Sequence, residues 1–237
     1  MDNDLRSSNP YGMSGSVTDV RSVQGNRVLR NTYALLAVSL IPTILGALIG
    51  VQLGLGPLMA KSPVVSMLVF FGVAIALMFG IERNKNSGVG VALLLGFTFF
   101  MGVMLSQILG WVLGFGNGAD LIMLAFGGTA VIFGGMATLA ASVKRDLSGL
   151  AKWMAMGALL VIVGMIANMF LQIPALQLTM LVLVIGIFSV FMLIDVQRVI
   201  NGGETNYISA TLAIYLDLYN VFTALLQLLG IFGGSRD

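Results

Sequence analysis

Two carboxylates stand out because of where they fall in the chain. Of ten acidic residues, eight lie in the polar tail, in loops or at the termini. Asp195 closes the apolar run that leads from Ser189, and Asp217 falls inside the run that starts near Ile208. An ionised carboxylate in hydrocarbon costs about 3 kcal/mol or more, so such a residue faces a partner or a hydrated cavity and commonly marks a pathway. Brought within a few ångströms of each other, the two would share a proton and titrate as a coupled pair. That is a route to pH sensing for a chain that contains no histidine. Ionised, the same pair offers hard oxygen ligands of the kind Ca²⁺ prefers, with carbonyls and water completing the shell. Asp195 and Asp217 are therefore the candidate calcium ligands.

Simpler readings stand beside this one. Arg198 follows Asp195 at i+3, the spacing of a local ion pair at a helix end. Asp217 lies about 14 Å into its run at 1.5 Å per residue, too deep for so short a side chain to reach the interface. With Ala210, Ala213, Asn220, Ala224 and Gln227 it forms a small-and-polar stripe at spacings of three and four. Such a stripe serves either interhelical packing or a polar path through a bundle, with Asn220 as the next polar group along it. Paired intramembrane aspartates also suggest aspartyl proteolysis. The flanking sequences argue against it, since no Gly-x-Gly-Asp accompanies Asp217 and Pro174-Ala175-Leu176 precedes both aspartates. Gly127-Gly128, Gly134-Gly135, Gly157 and Gly164 lack the Lys-Ser/Thr and flanking strand of a phosphate loop and read as sites of close helix packing.

The elements that must position these residues follow from composition. The chain has 237 residues, 58% apolar and 9% charged, with a mean hydropathy of +0.99, which is a membrane composition. Seven apolar stretches, roughly 34–55, 63–81, 88–113, 119–141, 153–173, 176–195 and 208–232, each approach the ~20 residues that cross ~30 Å of hydrocarbon as a helix. They lack the alternation of barrel strands, so the expected fold is an all-α, polytopic helical bundle. Gly54–Pro57, Gly114–Gly118, Gln172–Pro174 and Asn201–Gly203 punctuate it, and Trp111 and Trp153 stand at span ends as interfacial anchors. Residues 1–27 are polar and expected to form a disordered cytoplasmic tail, leaving residues 28–237 as the membrane domain.

Lys and Arg cluster in the tail (Arg6, Arg21, Arg27, Arg30) and in alternate loops (Arg83, Lys85; Lys144, Arg145, Lys152; Arg198). Lys61 and Arg236 are the exceptions, which places the N-terminus in the cytoplasm. Seven full crossings then put the C-terminus outside, unless the last segment re-enters. The absence of Cys and His removes disulfides, zinc motifs, cysteine nucleophiles and imidazole bases, so no enzyme activity and no cofactor beyond a transported or bound calcium ion is expected. A net charge of +2 gives no basic face for nucleic acid; the partner expected first is the bilayer.

Several blocks of residues carry a family resemblance over about residues 28–237: Val28–Tyr33, Phe126–Ala130, Lys144–Ser148, Asn168–Leu176, Asn201–Ile208, Tyr215–Asn220 and the terminal Ser235–Asp237. In these the chain resembles the Bax inhibitor-1 family of seven-span membrane proteins, and within it the bacterial branch named for modulating the membrane protease FtsH. The resemblance implies a central last helix wrapped by the other six. It also implies a pair of aspartates on the last two helices that acts as a pH-sensitive latch in a calcium leak path. The matching positions are Asp195 and Asp217, with Arg83 at the end of the second span as the nearest match to the basic latch partner. The alternative role it implies is regulation of FtsH in the inner membrane, with residues 1–27 as a handle for the protease.

Overall fold

A computed structural model of the chain describes residues 14–143, 145 and 147–234, with side chains from Arg27 onward, Ser148 excepted. Eight helices follow in order: α1 (Ser14–Gln52), α2 (Leu55–Ala60), α3 (Pro63–Arg83), α4 (Gly88–Val112), α5 (Gly118–Ser142), α6 (Ser148–Leu171), α7 (Pro174–Ile200) and α8 (Tyr207–Gly233). Seven are long and apolar enough to span a membrane: α1 from Arg27, α6 from Gly149, and the whole of α3, α4, α5, α7 and α8. The chain is a polytopic all-α membrane protein. The extra helix, α2, is a single turn that follows Gly54, whose left-handed φ of 64° reverses the chain at the Gly54–Pro57 signal.

α1 begins at Ser14, inside the segment that composition reads as an unstructured tail; residues 1–13 lie outside the described residues. Once the apolar span has nucleated a helix, each added residue gains a hydrogen bond without a new nucleation cost, so the polar stretch continues it backward.

α8 is the axis of the bundle. It packs against α1, α3, α4, α5 and α7, and no residue from Asn206 to Gly230 is exposed. Three apolar clusters form around it, through Ile208, Leu212, Ile214 and Tyr215, through Ala224, and through Leu226. The central position that the resemblance implies is thus present, with one difference. Five spans line α8, while α6 packs on α7 alone among the helices and stands behind it. The 27 residues of α8 run about 40 Å without a break. Asn117 Nδ2 donates to the Gly233 carbonyl at 2.6 Å, tying the end of α8 to the α4–α5 turn. The end of α8 therefore lies at the α4–α5 turn, away from the basic loops.

The closest helix pair is α1 with α4. A Cβ on Gly102 would run into the carbonyl oxygen of Thr43, and one on Gly46 into that of Phe99, so a small-xxx-small face at Gly46 and Gly50 sets this approach. The glycines singled out from sequence behave differently. Gly127, Gly134 and Gly135 have open space where a Cβ would stand, and Gly128, Gly157 and Gly164 meet only side chains of Leu225, Ile187 and Met180. Glycine content marks where backbones can approach, but not which face of a helix meets a neighbour. Gly102→Ala is expected to lower stability by about 1–3 kcal/mol through overpacking. Gly127→Ala should cost nothing, and thermal unfolding of both variants in detergent measures the contrast.

Candidate functional site: paired aspartates at the basic end of the bundle

The site is built where α7 ends and α8 begins. Asn201–Asn206 joins them, with Gly202 in the left-handed region at φ 72° to turn the chain. Asn206 then organises the start of α8. Its Oδ1 accepts from the amides of Ile208 at 2.9 Å and Ser209 at 3.2 Å, capping the helix. Its Nδ2 donates to the Lys85 carbonyl and to Asn86 Oδ1, both at 2.9 Å. One carboxamide thus caps the central helix and fastens it to the α3–α4 turn. Asn206→Ala should cost about 1–2 kcal/mol, the worth of a strong N-cap. It should also free residues 84–87, so faster proteolysis there together with a lower unfolding temperature is the expected result.

Ten residues past Tyr207, or about 15 Å along the axis, sits Asp217. It is 4% exposed, and its Oδ2 has no hydrogen-bond partner among the described residues. The Asp195 carboxyl on α7 lies beside it, near enough for the two groups to act on each other. Asp195 is half-buried and also feels Glu204 and Arg198. The Arg198 guanidinium stands 3.4 Å from Asp195 Oδ1 and is largely exposed. The structure therefore brings Asp195, Asp217 and Arg198 together. Arg83 is exposed at the end of α3 and takes part in neither ion pair found among the described residues, the other being Lys85 with Glu82 at 2.9 Å. Glu82 beside it holds the Lys85 ammonium above its usual range. Asn220, half-buried, donates its Nδ2 to the Leu216 carbonyl at 2.7 Å, within its own helix.

Two carboxyls that touch can hold one proton between them, since a protonated oxygen donates to its neighbour; with both ionised, neither can donate. As cation ligands the pair is incomplete. No group of three or more acidic, His or Cys side chains suited to a metal occurs among the described residues, so Ca²⁺ would need carbonyls and water for most of its 6–8 ligands.

Further polar residues hold this geometry and were not visible as a set in the sequence. Tyr215, 2% exposed, shares a hydrogen bond with Thr43 Oγ1 at 2.8 Å, and the Tyr219 hydroxyl donates to the Met101 carbonyl at 3.1 Å, fixing α8 to α1 and α4. Gln197 is buried two residues after Asp195. Its Nε2 donates to the carbonyls of Val143 at 2.8 Å and Arg145 at 3.0 Å, and its Oε1 accepts from the Leu147 amide at 3.3 Å. The α5–α6 loop is thereby strapped to the helix that carries Asp195. The signal available was a polar residue in an apolar run; its loop partners lie some 50 residues away and carry no mark.

Comparison with known proteins extends the picture to the whole bundle. A family profile described as "inhibitor of apoptosis-promoting Bax1" matches residues 25–234. An uncharacterized protein of Neisseria meningitidis serogroup A is 37% identical over 212 residues, 88% of this chain and 92% of its own length. The "Modulator of FtsH protease YccA" of Escherichia coli K12 is 37% identical over 214 residues, covering 90% of this chain and 92% of the relative. A protein of Helicobacter pylori is 34% identical over 211 residues, 88% of each chain.

Proposed function

The chain belongs to the Bax inhibitor-1 family, and from that premise we propose that it is an inner-membrane modulator of an FtsH-type membrane protease, acting without catalysis and with its N-terminus in the cytoplasm. The observation that carries this reading is the 37% identity over nine-tenths of the chain to a relative named as a modulator of that protease. A bundle with a buried axis suits the role. Extracting it requires unpacking all three apolar clusters around α8, so an ATP-driven protease that engages the end of the chain meets a slow substrate that occupies it. Reciprocal copurification from membranes with the protease, and slower turnover of other protease substrates when this chain is overproduced, test it. Unchanged turnover sinks it.

A second reading rests on a different observation, the buried Asp217 beside Asp195, with an Oδ2 that has no partner among the described residues. In it the bundle passes a cation such as Ca²⁺ along a path gated by the protonation of the pair, with Asn220 as the next polar group on α8 and Arg198 as the partner that competes for Asp195. Arg83 enters the gate only if the end of α3 moves toward α7. The two roles use different parts of the molecule and are compatible.

A further inference from the structure

The end of the bundle opposite the basic loops holds a cleft of about 500 Å³ between α4, α7 and α8, lined by Gln107, Ile108, Trp111, Gln177, Gln227 and Ile231. The gap exists because α4 and α7 each pack on α8 without packing on each other. Carboxamides from three helices line it, with no charged side chain among the described residues of the wall. Gln227 Nε2 donates to the Thr223 carbonyl within α8 at 3.2 Å; the remaining polar atoms of carboxamides facing hydrocarbon would lose their partners, so this lining suits water better than lipid. Depth agrees. Gln227 lies six residues before Gly233, about 9 Å from the helix end. Centred in a bilayer, a helix of about 40 Å extends past a ~30 Å hydrocarbon core by about 5 Å at each end, which sets Gln227 only a few ångströms below the interface.

Register links the cleft to the aspartates. Asp217, Asn220, Ala224, Gln227 and Ile231 follow one another on α8 at spacings of three and four, so the cleft opens on the face that bears Asp217. Between the two, that face is dry: Ala224 packs with Leu181 and Val184 of α7, and all three are buried.

We propose that the cleft is a hydrated cation vestibule, in which a small cation keeps part of its water and is held by carboxamide oxygens, separated from Asp217 by the Leu181–Val184–Ala224 contact. This rests on the leak reading and adds to it a mouth, a ligand set and a seal. Carboxamide oxygens are neutral, hard ligands. The described lining residues bring neither an ammonium or guanidinium group to repel a cation nor a carboxylate to trap it, the balance that conduction requires.

The chain contains no cysteine, so single-cysteine variants report water access without background. In liposomes, Gln107→Cys, Gln177→Cys and Gln227→Cys are expected to react with a membrane-impermeant cationic thiosulfonate applied from the far end, and faster than with its anionic counterpart. Ala224→Cys is expected to stay unreactive. Calcium flux should fall about tenfold in the Gln107→Leu, Gln227→Leu double variant, the scale of a lost polar partner, with its pH profile unshifted. Unreactive cysteines at the three glutamine positions overturn the vestibule whatever the flux. Native flux that the double variant leaves unchanged overturns the cation assignment and spares the leak. A labelled cleft in a native chain that passes no calcium overturns the leak reading and the cation assignment with it.

Discussion

Asp217→Asn is expected to abolish the pH dependence of calcium flux through this protein in liposomes. Asparagine keeps the shape of the side chain, removes the ionisable group, and adds an Nδ2 that can donate permanently to the Asp195 carboxyl, so the pair is locked at every pH in the state that a shared proton produces only part of the time. The groups that could otherwise carry the response are Asp195 itself, Glu204 and Arg198, the charges that act on that carboxyl. Asp195→Asn should also remove the response, and because it releases Arg198 from its 3.4 Å ion pair it should shift the absolute flux as well. Flux measured across pH 5 to 8 for the native chain, both single variants and the double variant separates these effects. A pH profile that survives Asp217→Asn removes the pair as the gate and leaves the two carboxyls a structural role in holding α7 against α8.

The second large effect concerns lifetime. Deleting residues 2–25 stops short of the membrane span that begins at Arg27 and removes no residue of the three apolar clusters, so the bundle should remain folded. If an FtsH-type protease takes the chain by its N-terminal segment, the truncated protein should persist in cells well beyond the full chain. It should also lose its power to slow the turnover of other substrates, because it no longer occupies the enzyme. Pulse-chase of both forms with and without the protease measures this directly. Equal lifetimes would mean that the polar N-terminal segment is not the handle. Slowed turnover of other substrates by the truncated form would move any contact with the protease onto the bundle.

These experiments bear on separate parts of the chain, and the parts differ in how far the sequence alone reveals them. The membrane class, the all-α bundle and its seven crossings were legible because they depend on local composition. A run of about 20 apolar residues can satisfy its backbone in hydrocarbon only as a helix, whatever surrounds it. The rarity of carboxylates in such runs singled out Asp195 and Asp217 on the same local grounds, and the i+3 spacing foretold the contact of Asp195 with Arg198.

Tertiary structure alone decided the rest, because it depends on which faces meet. Apolar residues surround a helix in the same way whether lipid or protein covers them, so α6 as an outlier on α7 could not be read from hydropathy, and the central place of α8 was implied by the family resemblance and not by composition. Glycines permit close approach without saying to what, which is why Gly46 and Gly102 set the tightest packing while Gly127 and Gly134 face open space. The ties from Gln197 to the α5–α6 loop and from Asn206 to the α3–α4 turn join residues about 50 and 120 positions apart, and the three glutamines of the cleft come from three helices. Sequence determined which groups are costly in a membrane; the packing of helices decided which of them meet, since a polar side chain in hydrocarbon must find its partner across a helix interface.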